Sequence, residues 1–244
     1  MIDLRLVGIG TGNPEHLTLE GRAALREAAL VLLPRKGLGK SDLAERRREI
    51  LAAMGSAAEV AEFDMPVRDD ALPYDERVEK WHDEIAAIWA ERIAARRPDG
   101  PVALMVWGDP GLYDSTLRIA ERLNPKPQVK VVPGVSALQA LTAAHAIPFN
   151  AINGAVVITT GRRLRDHGWP KGADTVAVML DGQCSFQSLP PEDVEIWWGG
   201  FLGMEEQVLV RGSLAEATPR ILAARAEARA RHGWIMDTYL MRRG

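Results

Sequence analysis

Short apolar runs alternate with amphipathic segments over residues 1–150 of the chain. The apolar runs predict buried strands, at 4–9, 30–33, 60–63, 102–106 and 129–132. The segments between them predict helices, at 19–29, 42–54, 78–96, 115–123 and 136–144. Pro34 is expected to end the second strand, and Asp42 to cap the helix that follows. Such alternation predicts a mostly parallel sheet with helices on both faces.

The pattern becomes richer in strands after Asn150. Strands are predicted at 156–160, 175–180, 194–198, 208–211 and 234–240. One helix is well marked, because Thr218 can cap it, Pro219 suits its first position and Gly233 can end it. We therefore expect an α/β fold of two domains. The first covers 1–150 with a mostly parallel sheet, and the second covers 151–244 with a mixed sheet.

Composition and charge narrow the possible partners. The 244 residues carry a net charge of −3, which gives no general attraction to nucleic acid, and the basic stretch 46–48 is interpreted as a solvated helix face. Cys184 is the only cysteine, so no internal disulfide is possible and a metal site is not expected. No apolar run reaches the length of a membrane span, and the first residues lack a secretory pattern. A cytoplasmic protein is the expectation.

Three glycine-containing loops follow predicted strands, at 8–14 (GIGTGNP), 107–115 (WGDPGLYDS) and 132–137 (VPGVSA). The first stands where a Rossmann fold binds a pyrophosphate, but Asn13 replaces the last glycine of that fingerprint. Each loop alone is also compatible with a tight turn. Together, at the carboxyl ends of strands, they indicate one cleft lined by backbone N–H and C=O groups.

In combination the three loops resemble the signature motifs of the tetrapyrrole methylases, the two-domain methyltransferases of cobalamin and sirohaem synthesis. Leu17 and Thr18 extend the first motif, and Thr11 stands where the family usually carries proline. The resemblance covers essentially the whole chain. It implies a homodimeric enzyme that uses S-adenosyl-L-methionine, releases S-adenosyl-L-homocysteine and methylates a small-molecule tetrapyrrole, with the cofactor in a cleft between the domains.

Further segments resemble one branch of this family, at 34–37 (PRKG), 106–110 (VWGDP), 113–118 (YDSTLR), 158–164 (ITTGRRL), 179–182 (MLDG) and 197–199 (WWG). The resemblance to this branch implies C-methylation of precorrin-5 at ring carbon 1, with release of the extruded acetyl group as acetate, to give precorrin-6A. Two alternatives stay open at this point. One is a methylase of the same family that acts at another ring position, and the other is a module that binds a nucleotide-like ligand without catalysis.

The same resemblance assigns roles to individual residues. The cofactor contacts that it implies are Thr11, Trp107, Gly108, Asp109, Leu112, Ser136, Ala137 and Leu180. The candidates for stabilising an oxyanion during acetate release are Asp109, Tyr113 and Arg162, with Asp114 and His16 also considered. Candidate ligands for substrate carboxylates, which are otherwise surface charges, are Arg35, Lys36, Arg118, Arg162 and Arg163. Either Trp197 or Trp198 could line the cleft, but alternation in a strand lets at most one face it.

Overall fold

The computed structural model describes residues 1–35 and 41–243, which divide into two units. The first unit is Met1–Ser136, and the second begins at Ala137. The described residues of each unit form a five-stranded sheet with helices packed against it. The predicted α/β class is therefore confirmed.

The sheet of the first unit is entirely parallel. Its strands are β1 Asp3–Gly8, β2 Leu30–Arg35, β3 Glu59–Asp64, β4 Val102–Val106 and β5 Gln128–Val132. They lie in the order β3-β2-β4-β1-β5. Alternate side chains of a strand point to opposite faces, and both faces are apolar here. Leu6 of β1 belongs to one buried cluster and Val7 to another.

Helices cover both faces of this sheet. They are α1 Leu19–Glu27, α2 Ser41–Ala53, α3 Tyr74–Arg96 and α4 Thr116–Ala120. Leu25 of α1 and Ile50 of α2 share the cluster of Val7, whereas Trp89 of α3 and Ile119 of α4 share that of Leu6. The chain therefore leaves β1 and β4 toward opposite faces of the sheet. The capping residue predicted for α2, at position 42, has a side chain outside the described part of the structure.

The prediction that Pro34 ends β2 is wrong, since the strand continues to Arg35. β2 pairs with β4 only as far as Leu32, which lies opposite Leu104, but it pairs with β3 along its whole length. Among the described residues, the β4 side of β2 has no partner strand beyond Leu32. Proline lacks a backbone N–H, but on this side of β2 there is no described strand to accept a hydrogen bond from that position. Pro34 therefore leaves the hydrogen bonds of the sheet intact.

The second unit contains a mixed sheet, as predicted, and its strands lie in the order β6-β7-β10-β8-β9. Its strands are β6 Val156–Thr160, β7 Thr175–Met179, β8 Val194–Gly200, β9 Val208–Ser213 and β10 Asp237–Arg243. Its helices are α5 Ala137–His145, α6 Gly161–His167 and α7 Leu214–His232. β6 and β7 are parallel, and the other neighbouring strands are antiparallel. Among the described residues, no helix is long and apolar enough to cross a bilayer.

The units divide at Ser136, before α5, whereas the sequence pattern changes only at Asn150. Leu141 of α5 shares a buried cluster with Trp197 of β8 and Leu240 of β10, so α5 packs on the second sheet. The periodicity of an amphipathic helix predicts that one face packs on a sheet, but it does not predict which sheet. The sequence therefore could not assign α5 to a unit.

The prediction that α7 starts after Thr218 is wrong, because the helix begins at Leu214 and the proline after Thr218 lies inside it. Ser213 is the N-cap, and its Oγ accepts a hydrogen bond from the N–H of Glu216 at 3.3 Å. Thr218 instead donates from Oγ1 to the carbonyl of Leu214 at 2.6 Å. The serine N-cap upstream therefore overrides the threonine–proline signal. The predicted end at Gly233 is confirmed.

Two buried histidines make the stability of this fold depend on pH. His82 of α3 is 2% exposed, and neither ring nitrogen has a hydrogen-bond partner among the described residues. Burial lowers the pKa of His82, and the positive charge of Arg122 lowers it further. His145 of α5 donates from Nε2 to the carbonyl of Trp198 at 3.0 Å, and burial lowers its pKa as well. Both imidazoles therefore resist protonation in the folded state.

We expect the free energy of unfolding to fall as the pH drops below about 6.5, the ordinary pKa of histidine. The unfolded chain then binds protons that the folded chain does not, at up to about 1.4 kcal/mol per pH unit for each proton. His82→Leu should flatten this dependence in urea unfolding measured over a pH series. His167→Leu, at an exposed position of α6, is the control and should leave the slope unchanged. Parallel pH profiles for wild type and His82→Leu would contradict the assignment.

Candidate functional site

The three glycine loops follow adjacent strands, β4, β1 and β5, at one end of the first sheet. The N–H of Gly108 donates to the carbonyl of Gly10 at 2.7 Å, and the N–H of Gly10 donates back to Gly108 at 3.3 Å. The N–H of Ile9 donates to the carbonyl of Val106 at 2.8 Å. The first and second loops are thus joined by backbone hydrogen bonds, and the cleft that the three loops are predicted to line stays a prediction.

Gly8, Gly108 and Gly134 lie where the three loops approach one another most closely. A Cβ on Gly8 would lie 2.6 Å from the nitrogen of Gly134 and 2.8 Å from the carbonyl oxygen of Gly108. Gly8 and Gly134 therefore have no room for a side chain. Gly108 differs, because it has a φ of +65° and the nearest described atom to its Cβ position is the Cα of Ser136, at 3.7 Å. One side of Gly108 is open.

Asp109 links the second loop to the third. One carboxylate oxygen accepts a hydrogen bond from the N–H of Gly111 at 2.8 Å, and the other accepts one from the N–H of Gly134 at 3.0 Å. The N–H of Leu112 donates to the carbonyl of Asp109 at 3.2 Å and closes a turn. These contacts give Asp109 a structural role in the loops. Its catalytic and cofactor-binding roles stay predictions.

Buried hydroxyl groups lie in the first and third loops. Thr11 is buried, and its Oγ1 lies 2.8 Å from Nδ1 of His16. Gly10 packs on the same histidine, because a Cβ at Gly10 would lie 2.8 Å from the Cβ of His16. Ser136 is buried in the third loop. Thr11 and Ser136 thus place polar groups beside glycine backbone, as a cofactor contact would require.

A buried arginine supports the second loop. Arg47 of α2 is only 8% exposed, so the interpretation of 46–48 as a solvated face is wrong for this residue. Its Nε donates to the carbonyl of Met105 at 3.2 Å, and its guanidinium carbon lies 5.0 Å from the ring centroid of Trp107. Burial lowers the pKa of Arg47 to about 10, although the charge of Asp114 opposes the shift. Three consecutive arginines in a sequence do not reveal which one faces the sheet.

Tyr113 adopts a left-handed backbone conformation, with φ at 51°, and is 42% exposed. Such a conformation costs a tyrosine about 1–2 kcal/mol and is concentrated at functional sites. The following loop end is braced, because Asp114 accepts a hydrogen bond from the N–H of Thr116 at 2.6 Å. Arg118 donates to the carbonyl of Asp114 at 2.9 Å. The loop therefore holds Tyr113 in a strained conformation.

Leu180, the cofactor contact predicted in the second unit, directly follows β7. Its φ is 55°, and it is 68% exposed. The next residue, Asp181, is buried and accepts a hydrogen bond from the hydroxyl of Tyr239 at 2.7 Å. A large apolar side chain exposed on strained backbone contributes little to the core, so its position fits contact with an apolar ligand.

The described basic residues that are candidates for binding substrate carboxylates lie mostly at the surface. Arg162 and Arg163 are exposed on the first turn of α6. Arg35 pairs with Asp64 at 2.9 Å. Lys36 lies outside the described residues.

The two adjacent tryptophans of β8 are both buried, on opposite faces of the second sheet. Trp198 packs in the cluster beneath α7, and Trp197 packs with Leu141 and Leu202. The predicted alternation is confirmed. Each is at most 9% exposed, and the lining of the cleft by one of them stays a prediction.

The structure groups the predicted site residues by unit. The first unit holds Thr11, Trp107, Gly108, Asp109, Leu112, Tyr113 and Ser136. The second holds Ala137, Arg162 and Leu180.

A family model matches residues 3–218, which contain the parallel sheet, the three glycine loops and four strands of the mixed sheet. The chain belongs to that family, the tetrapyrrole (corrin/porphyrin) methylases.

Individual relatives match the chain over its whole length. The precorrin-6A synthase (deacetylating) of Sinorhizobium sp is 43% identical over 252 residues, which cover 100% of this chain and 96% of the relative. A solved structure from Corynebacterium diphtheriae, described as a protein related to cobalamin synthesis (CobF), has a TM-score of 0.84 at 40% identity, with 100% and 99% covered. The uroporphyrin-III C-methyltransferase of Thermus thermophilus, in complex with S-adenosylhomocysteine, shares the fold. Its TM-score is 0.62 at 18% identity, with 98% and 91% covered.

Gly108→Ala should fold but lose affinity for S-adenosylhomocysteine. The added methyl group meets no described atom within 3.7 Å, so the expected cost to folding is the strain at φ +65°, about 1–2 kcal/mol. The same methyl group occupies the open side of the loop. Calorimetry measures the affinity, and urea unfolding measures the stability. Gly134→Ala is the contrast, because its Cβ would lie 2.8 Å from the carbonyl carbon of Gly8, and we expect it to lower the yield of folded protein. If folded Gly108→Ala binds S-adenosylhomocysteine with normal affinity, the loop is only a structural turn and not a cofactor contact.

Leu180→Asn should keep or raise stability while weakening the binding of S-adenosylhomocysteine. Asparagine tolerates the left-handed conformation better than leucine, and the replaced side chain is largely exposed, so we expect a gain of up to about 1 kcal/mol. The apolar contact with the ligand is lost at the same time. Thermal unfolding and calorimetry on one preparation give both values. A variant that is less stable and binds normally would show that Leu180 serves the fold.

Proposed function

We propose that the chain is an S-adenosyl-L-methionine-dependent C-methyltransferase that converts precorrin-5 to precorrin-6A and releases acetate. The observation that carries this proposal is 43% identity, over the whole chain, to a precorrin-6A synthase (deacetylating). The TM-score of 0.84 to the CobF structure supports it. Methylation at ring carbon 1 follows from the resemblance of the branch motifs.

The first unit offers a donor set that fits the cofactor. The loop segments 8–17, 107–115 and 133–137 contain no lysine or arginine, and the first two contain carboxylates. Buried hydroxyls and open glycine backbone suit the neutral groups of a nucleoside, and carboxylates suit a cation better than they suit phosphates. S-adenosyl-L-methionine supplies a methyl group activated on a sulfonium cation. The loops would hold it through Thr11, Gly108 and Ser136, and positioning of this kind contributes up to roughly 7–11 kcal/mol in favourable reactions.

Acetate release needs different chemistry, because water must add to the acetyl carbonyl and an oxyanion must be stabilised. Both carboxylate oxygens of Asp109 already accept backbone hydrogen bonds, which favours a supporting role. The phenol of Tyr113 and the guanidinium of Arg162 are hydrogen-bond donors on exposed residues, so they are the better candidates. We further propose a cytoplasmic homodimer. Light scattering on the purified protein would test the dimer, and fractionation of cells would test the location.

The decisive assay combines the purified protein with S-adenosyl-L-methionine and precorrin-5, and follows the product by mass spectrometry. We expect one methyl group gained and one acetyl group lost per turnover. Tyr113→Phe or Arg162→Ala should yield a methylated product that keeps its acetyl group, whereas the adjacent Arg163→Ala should not. Strict coupling in every variant would mean that acetate leaves without help from these residues. Methylation of another precorrin instead would mean that the enzyme acts at a different ring position. Binding of S-adenosyl-L-methionine without turnover would mean that the chain is a ligand-binding module.

A further inference from the structure

The carboxylate of Asp181 is a junction of hydrogen bonds beneath Leu180. Asp181 is 7% exposed and follows Leu180 at the end of β7. Oδ2 accepts from the N–H of Ser185 at 2.6 Å and from the hydroxyl of Tyr239 at 2.7 Å. Oδ1 accepts from Oγ of Ser185 at 2.9 Å and from the N–H of Gln183 at 3.1 Å. Both oxygens are thus satisfied, and the turn that begins at Leu180 is fixed to β10.

Arg225 of α7 also holds the turn that begins at Leu180, through hydrogen bonds to Asp181 and Cys184. Its Nη2 donates to the carbonyl of Asp181 at 3.0 Å, and its Nη1 donates to the sulfur of Cys184. Its Nε pairs with Asp237 at 3.0 Å, and Asp237 also accepts from the indole N–H of Trp198 at 2.8 Å. Burial raises the pKa of Asp237, although the charge of Arg225 opposes this. The turn is therefore tied to α7, β8 and β10.

The start of α6 packs directly on this carboxylate. A Cβ on Gly161 would lie 2.6 Å from the Cβ of Asp181, and closer still to its carboxylate. Thr160 caps the helix by accepting a hydrogen bond from the N–H of Arg163 at 3.4 Å. Arg162, the next residue after Gly161, is exposed on the same first turn. Asp181 therefore touches both the turn that carries Leu180 and the helix turn that carries Arg162.

A buried ionic network is a poor device for stability alone, because desolvation of the charges offsets much of their attraction, and apolar residues of similar volume often do as well. It is a good device for fixing geometry, because each member has few alternative partners. Leu180 requires such fixing, since its left-handed conformation is not one that leucine prefers.

We propose that Asp181 is a positioning residue that fixes Leu180 and the first turn of α6 in one geometry. It thereby sets the place of a cofactor contact and of a substrate-binding arginine together. This inference rests on the proposed function, which supplies the two ligands. Asp181 itself touches neither ligand, and it acts through the turn and the helix that it joins.

The test compares Asp181→Asn with variants of the two groups that it positions. The amide keeps the shape of the carboxylate but turns one acceptor into a donor that faces N–H and O–H donors. We expect the Kd of S-adenosylhomocysteine and the KM of precorrin-5 both to rise, by about tenfold to a hundredfold, as for a small misplacement of binding groups. Of these two constants, Leu180→Asn should raise only the Kd of S-adenosylhomocysteine. Arg162→Ala should raise only the KM of precorrin-5, in addition to the retained acetyl group expected above. Gly182→Ala is the matched control in the same turn, because its Cβ would meet nothing within 4 Å.

The number of equivalents of S-adenosylhomocysteine bound per chain distinguishes a positioning effect from a loss of folded protein. A variant that is merely destabilised binds fewer equivalents of ligand at the wild-type Kd, and this result would overturn the inference. Wild-type values of Kd and KM in Asp181→Asn would overturn it as well. If Asp181→Asn does not fold, Tyr239→Phe takes its place, since it removes one donor to Asp181 and keeps the ring packed against Phe186 at 5.2 Å. The same double effect, smaller in size, is then expected. Failure of wild type to bind S-adenosylhomocysteine would instead reject the proposed function, and the inference with it.

Discussion

Close contact between three backbone segments, with no side chain between them, is the constraint on which the first unit depends. Gly8, Gly108 and Gly134 meet because β4, β1 and β5 are adjacent and parallel, so that their loops emerge at the same end of the sheet. Asp109 completes the contact by accepting a hydrogen bond from Gly134. The surface that results is built from peptide groups, which are already fixed in the folded chain and need no ordering when a ligand arrives.

In the second unit, side chains rather than backbone contacts fix the loop that carries the predicted site residue. No trio of glycines joins its described loops, and the turn after β7 is held by Asp181, Arg225 and Tyr239. A charged network of this kind depends on every partner, because removal of one leaves a buried polar group without its hydrogen bond. A backbone contact depends only on the absence of side chains. The two units should therefore respond differently to substitution, the first at glycines and the second at buried polar residues.

Much of the fold could be predicted from the sequence, because strands such as β4 are continuous apolar runs and helices such as α3 repeat at helical spacing. The glycine loops could be placed at strand ends for the same reason. Contacts between distant residues could not be predicted. The burial of Arg47 depends on which face of α2 meets the sheet, and the role of Asp181 depends on Tyr239, far along the chain. The start of α7 could not be placed because two capping signals, Ser213 and Thr218, stand close together in the sequence.

The strand orders have a consequence for how the protein is made. β1 is made before the other described strands, but Leu4 pairs with Val102 and Val129, which are synthesised much later. In the second unit β10, at positions 237–243, lies between β7 and β8. The first sheet thus lacks the interior strand β4 until residues 102–106 are made, and the second lacks β10 until residues 237–243 are made. Pairing over such sequence distances is slow. During that interval β7 and β8 have open inner edges that other nascent chains can pair with. Crowded synthesis should therefore favour aggregates in which the missing neighbour of β7 is supplied by another copy.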